Sequence, residues 1–357
     1  MFRMGSTADV VIVGLGIAGA MLVRELRRRG AQVWVFDDPN RNAASRGAAG
    51  LISPVAGLRF GVLDHWQTWW DCANDVYSAM GAIEPITCYR LLYGDDEHSF
   101  WKRKSAHLLS QGLAQKSELP TMLTRYVQKP VEVVSIHPAA RVDTSRVLDT
   151  ITAELDADRR LLRRRVENDE IVQREHGWRV AGVDCKHVVF CQGASVAESS
   201  RFQWLPRMFA RGQRIAGRLN EEFRSEPLWL SIRGKSLLLN GSCFSFGSTF
   251  DWDNTEPVVT EEATEHLRMT LSRYLHVPFH IEQTWAGVRP IMADLKPVIG
   301  EHPEYPHCWI FNGLGARGFF LAPYLAKVLA RALDSSDANS DELIPPQFAL
   351  RRFWQSE

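Results

Sequence analysis

Two short apolar runs open the pattern: Val10-Val11-Ile12-Val13 and Val33-Trp34-Val35-Phe36. Continuous apolar stretches of this length predict strands buried on both faces. Between them, Ile17 to about Arg29 places Leu22 and Leu26 on one stripe at helical spacing. It closes on the basic triplet Arg27-Arg28-Arg29 and is followed by Gly30. A helix with a glycine C-terminal cap is predicted there, and its basic end suits the helix dipole. Strand, turn, helix, strand is the start of a βαβ unit.

Periodicity continues beyond it. Asp64 to Met80 reads as a helix with Trp66, Trp69 and Trp70 at i, i+3 and i+4, a spacing that predicts core packing or an interface. Thr144 to Leu155 is amphipathic through Val147, Leu148, Ile151 and Leu155, and a short strand is predicted over Arg165 to Glu167. Ile171-Val172, Trp178-Arg179-Val180 and His187-Val188-Val189-Phe190 read as further strands. Leu228 to Trp285 has the composition of a second, mostly antiparallel sheet, including Leu237 to Leu239, Ser245 to Gly247 and a helix near Glu261 to Tyr274. The opening pattern then returns: a strand at Trp309-Ile310-Phe311, a glycine-rich turn over Asn312 to Gly318, and a helix over Leu321 to Leu333. Asp334 to Asp341 is Ser/Asp-rich and reads as a solvated linker.

Composition narrows the class. The 357 residues suffice for about two domains, and 42 Lys+Arg balance 42 Asp+Glu, which excludes a strongly basic nucleic-acid coat. Six scattered cysteines form no CxxC and no zinc-type spacing, so free thiols are predicted, with no disulfide and no metal. No stretch reaches the ~18 apolar residues of a membrane span, and the chain reads as a cytoplasmic protein.

The first candidate chemistry is Gly14-Leu15-Gly16-Ile17-Ala18-Gly19, placed between the first strand and its helix, with Asp37 at the end of the second strand. That context makes it a dinucleotide fingerprint. Gly14 allows the tight turn, Gly16 lets amides approach a pyrophosphate, Gly19 permits close packing, and the helix N-terminus favours the phosphate charge. An acid at Asp37 accepts ribose hydroxyls and disfavours a 2′-phosphate, leaving FAD or NAD rather than NADP.

Further segments carry a family resemblance. Ala43 to Pro54 resembles the segment after the ribose acid in the D-amino-acid-oxidase (DAO) family of FAD enzymes. Similar likenesses are Ala140-Arg141-Val142-Asp143 with its helix, His187 to Ala194, Arg211-Gly212-Gln213 and Gly247-Ser248-Thr249-Phe250-Asp251. Trp285 to Gly300, which contains Gly287-Val288-Arg289-Pro290, and Gly313 to Pro323 resemble that family's substrate-arginine run and its closing glycine turn. Within the family the chain is similar to glycine oxidase and to the FAD domain of the MnmC-type tRNA wobble-uridine modification enzyme.

The resemblance implies an α/β fold: a discontinuous Rossmann-like FAD-binding domain (1–60, 140–200, 286–350) and an inserted, mainly antiparallel β-sheet substrate domain (61–139, 201–285). It implies an FAD-dependent oxidoreductase that oxidises the C–N bond of an amine or amino acid. The alternatives are a tRNA-modifying oxidase that removes a carboxymethyl group, and a 2-hydroxy-acid dehydrogenase; a flavin-binding protein without catalysis is a further possibility. Implied cofactor contacts are Gly14, Gly16, Ala18, Gly19, Asp37, Ser45, Gly50, Val166, Gly193, Gly313, Gly315, Ala316, Arg317 and Gly318. The implied catalytic residues are Arg289, as the carboxylate clamp, and Arg317, near the flavin pyrimidine ring. With no cysteine close to Arg289, the FAD is expected to be non-covalent. Arg59 is a secondary candidate for an anionic group, His65 and His98 are lone histidines outside any motif, and Cys308 reads as packing. Arg27 to Arg29 and Arg163-Arg164-Arg165 are the local basic clusters a tRNA would use.

Overall fold

The apolar runs and amphipathic stripes close into two units in the computed structural model, which describes residues 6–40, 44–222, 226–334 and 340–354. Ala43 of the small-residue segment and most of the Asp334–Asp341 linker lie outside these residues. Helices of three or more turns among the described residues are α1 (Ile17–Arg28), α2 (Trp66–Ala79), α3 (Asp95–Ser110), α4 (Thr144–Ala157), α5 (Glu261–Tyr274) and α6 (Gly318–Asp334).

The first unit comprises Met1–Ala48, Asp143–Ala210 and Val288–Glu357. Its sheet runs in the order Leu161–Arg163, Val33–Asp37, Thr7–Val13, Val183–Phe190, with these four strands parallel. Beyond Val183–Phe190 the sheet forks. Residues Val183 to Cys185 pair antiparallel with the hairpin strand Gly177–Val180, while Val188 to Phe190 pair parallel with Cys308–Asn312. Val11, Ile12, Val35, Val188 and Val189 are fully buried, as strands covered on both faces must be. α1 packs against both α6 and α4.

One predicted strand moves. Arg165 to Glu167 is not a strand; the strand is Leu161–Arg163, in parallel register with Val35, Phe36 and Asp37. Leu161 and Leu162 have apolar side chains to place on that edge, whereas Arg165 and Glu167 are exposed and pair with each other. A reciprocal capping arrangement between Glu167 and Glu170 then turns the chain.

The second unit comprises Ala49–Val142 and Arg211–Gly287. Residues 49–60 therefore group with this unit and 201–210 with the first, rather than dividing at 60 and 200. Leu51–Ile52 pairs with Ala140–Val142, while Phe202 and Leu205 enter the Phe190 core. The main sheet follows the order Phe279–Met292, Arg207–Leu219, Cys243–Gly247, Lys235–Asn240, Leu228–Ile232, Thr87–Leu92, Glu132–Ile136, Ala114–Ser117. One face of it buries Leu230, Leu237 and Phe246 against Leu267 and Leu271 of α5. The other buries Cys88, Val134 and Ile136 against Trp101 and Leu108 of α3. In the tryptophan cluster of α2, Trp69 is buried and donates through Nε1 to the Asp64 carbonyl at 3.1 Å, and Trp66 packs beside the Phe60 core.

Candidate active site

The fingerprint turn sits at the C-terminal ends of parallel strands, where an open α/β sheet presents its binding crevice. Gly14 donates to the Phe36 carbonyl at 2.7 Å, and Cys191 donates to the Val13 carbonyl at 2.8 Å, tying three strand ends together. Gly14 has φ +103°, and a Cβ there would lie 2.5 Å from the Cys191 carbonyl oxygen, so only glycine fits. Among the described residues, a Cβ on Gly16 would meet only the Ser45 hydroxyl, at 3.3 Å. This glycine cradle opens α1, whose first turn holds no acidic residue. Such a helix N-terminus accommodates a pyrophosphate.

Two side chains fasten the cradle. Asp37 Oδ1 accepts the Leu15 amide at 2.8 Å, and Ser45 Oγ accepts the Ile17 amide at 3.0 Å. Burial raises the Asp37 carboxyl above its ordinary range; the Leu15 amide and Arg46 act in the opposite direction. Asp37 Oδ2 accepts no hydrogen bond among the described residues and remains an acceptor for hydroxyl groups.

The second glycine turn joins the first. Asn312, 2% exposed, donates from Nδ2 to the Gly193 carbonyl at 2.9 Å and accepts the Gly313 amide at 2.8 Å. It locks the turns after two neighbouring strands to each other, and sequence reasoning missed it. The signal was an amide side chain directly before a positive-φ glycine, Gly313 at +74°. Gly315 to Arg317 form a short 3-10 turn leading into α6. A Cβ on Gly318 would press on Ile17, so the starts of α1 and α6 lie side by side. Strand residues Ile291 and Met292 border Gly315 and Gly313, which brings the strand carrying Arg289 against the turn carrying Arg317.

Both arginines are half-buried. Desolvation pushes the Arg289 guanidinium down to about 10, leaving it cationic at neutral pH, and Nη1 lies 3.5 Å from the Ala210 carbonyl. Desolvation also lowers Arg317, whose guanidinium has no hydrogen-bond partner among the described residues. Ala18 and Gly19 lie in the first turn of α1, Ala316 is exposed, and Val166 is a buried loop residue in the core with Phe36. Gly50 lies in the second unit, where its carbonyl accepts the Val142 amide at 2.8 Å.

The remaining candidates lie elsewhere. Arg59 is exposed, 5.7 Å from the Phe100 ring centroid. His98 pairs with Glu132 at 3.0 Å, and His65 lines a hollow of about 390 Å³ with Trp66, Lys104 and His107, inside the second unit. Cys308 is fully buried, and burial pushes its thiol well above its ordinary range. Both basic clusters are matched by acids: Arg163 by Asp156, Arg164 by Glu170 at 2.8 Å, Arg165 by Glu167 at 2.8 Å, and Arg28 and Arg29 by Glu25. Among the described residues no group of His, Cys, Asp and Glu is placed to hold a metal, and no helix is long and apolar enough to cross a membrane.

The family model for FAD-dependent oxidoreductases (DAO) matches residues 9–332. The chain belongs to this family. This FAD-dependent oxidoreductase is 24% identical to a glycine oxidase of Pseudomonas aeruginosa, over 90% of its own length and 93% of the relative's. It is also 24% identical to the bifunctional tRNA 5-methylaminomethyl-2-thiouridine biosynthesis protein MnmC of Dichelobacter nodosus. That match covers 97% of this chain but only 58% of the relative. Among solved structures, a glycine oxidase from Bacillus cereus superposes with a TM-score of 0.76 at 17% identity, over 93% of this chain and 96% of the other. An iminodiacetate oxidase from Chelativorans superposes at 0.72 and 19% identity, over 90% and 94%. These likenesses fix the fold as that of the glycine-oxidase structures, with a Rossmann-like FAD domain.

Proposed function

We propose that this oxidoreductase oxidises the C–N bond of a small amine that carries a carboxylate. The observation that carries the reading is Arg289: a desolvated guanidinium on the strand that borders the second glycine turn. A guanidinium grips a carboxylate through two parallel hydrogen bonds, which fixes the orientation of the neighbouring carbon. Non-covalently held FAD, when bound, supplies the two-electron acceptor. The Gly14–Gly19 turn with the start of α1 would hold its pyrophosphate, and Asp37 its ribose. Arg317 and the start of α6 would supply positive potential to the negative charge that develops on the ring. An amine that arrives deprotonated needs no protein base.

A tRNA-modifying oxidase is the second reading, favoured by the likeness to MnmC along almost the whole chain. The acids that neutralise both basic clusters weigh against it, because phosphate binding draws on unmatched cations. Anaerobic mixing separates the two. Glycine or sarcosine should bleach the flavin with little dependence on salt. Bleaching only by tRNA bearing carboxymethylaminomethyl-uridine, with steep salt dependence, would replace the first reading by the second. Bleaching by neither would point to a 2-hydroxy acid.

A further inference from the structure

The sheet of the second unit has a face that changes character along its width. Over Thr87–Leu92 and Glu132–Ile136 it is apolar and packed. Towards Arg207–Leu219 it is small and polar. Register places Arg214 opposite Gly247, Gly247 opposite Ser236, and Ser245 opposite Ala216, all on this face. A Cβ on Gly247 would lie 2.7 Å from that of Arg214, so glycine makes room for the arginine stem. Arg214 Nη1 donates to Ser245 Oγ at 3.3 Å, a long bond to a neutral group, and no carboxylate pairs with this guanidinium among the described residues. Ser236 Oγ accepts from Trp229 Nε1 at 3.0 Å, which orients its hydroxyl.

The charge that acts on it is of the same sign. Arg141 raises the cost of keeping Arg214 charged, adding to desolvation, and both lower its pKa. Arg141 is itself matched by Glu84 at 3.0 Å. A half-buried cation beside a second cation, with a hydroxyl-lined floor and no acid of its own, is costly unless an anion joins it.

We propose that Arg214, with the Ser245 and Ser236 hydroxyls, forms an anion-binding site of the second unit that takes a compact carboxylate. The carboxylate is that of an independent small anion, and the site does not depend on the function proposed above. The site belongs to this chain's own residues and differs from the Arg289 clamp.

Calorimetric titration of the FAD-loaded protein with malonate tests it, in an Arg289→Ala background that removes the clamp. Adding Arg214→Gln should weaken malonate binding about tenfold to a hundredfold, the loss expected for charge-assisted hydrogen bonds. Arg214→Lys should fall in between. The Tm without anion should hold or rise, because an uncompensated cation is removed. Unchanged malonate affinity overturns the site, as does a Tm loss of several degrees without change in affinity, which marks Arg214 as structural. Failure of every amine to reduce the flavin removes the function proposed above and leaves the malonate titration to decide the site.

Discussion

Replacing Arg289 by alanine tests the carboxylate clamp most directly. In the structure this guanidinium is half-buried, on the strand bordering Gly313 and Gly315. Charge-assisted hydrogen bonds contribute about 1.5–3 kcal/mol, so losing them should slow reduction of the flavin by a carboxylate-bearing amine by about one to two orders of magnitude. Anaerobic stopped-flow at the flavin band reads this, with FAD content measured alongside. Arg289→Lys should recover part of the loss, since the charge returns without the planar fork. The pH dependence adds a sign. Burial has pushed the guanidinium down to about 10, so it is charged below that pH and neutral above it. Inhibition by acetate, which has no amine to titrate, should therefore weaken as pH rises through about 10. A reduction rate unchanged in Arg289→Ala, at normal FAD content, would refute the clamp and move it to Arg317 or Arg59.

Gly16→Val should lose FAD while the apoprotein stays folded, because among the described residues a Cβ there meets only the Ser45 hydroxyl; normal FAD content by absorbance would show the phosphate site misplaced. Gly14→Ala should instead destabilise the first unit, since its Cβ meets the Cys191 carbonyl at a positive φ; thermal melts compare the two variants. FAD should appear in the supernatant after acid or heat precipitation, and colour retained on the pellet would mean a covalent link. His187 is buried, and desolvation lowers it to about 3 from an ordinary 6.5. The unfolded chain therefore binds the extra proton between those values, so stability is lost as pH falls through that window, by up to about 1.4 kcal/mol per pH unit. Denaturant melts of His187→Phe from pH 4 to 7 should show a shallower slope than the parent, and an identical slope would reject the assignment.

Local pattern alone carried much of the architecture. Val10 to Val13, the Gly14–Gly19 turn, α1 and Asp37 are read within 28 residues because strand burial, helical stripe and glycine conformation are properties of neighbouring residues. The same holds for α5 and for the strand near Trp309. Where pairing partners lie far apart in the chain, the pattern ran out. The edge strand fell at Leu161–Arg163 rather than Arg165–Glu167 because its register is set by Val35 to Asp37, more than a hundred residues earlier. Arg163, Arg164 and Arg165 looked like a phosphate-binding triplet until folding supplied Asp156, Glu170 and Glu167. Asn312 acquired its role only when the sheet brought Gly193 beside it. Arg214 is one cation in a charge-balanced composition, and only the pairing of Arg207–Leu219 with Cys243–Gly247 left its charge over serines with Arg141 for company. Hydrophobic periodicity is local and survives in sequence, whereas charge compensation depends on which distant acid arrives within a few ångströms, and that is decided by tertiary structure.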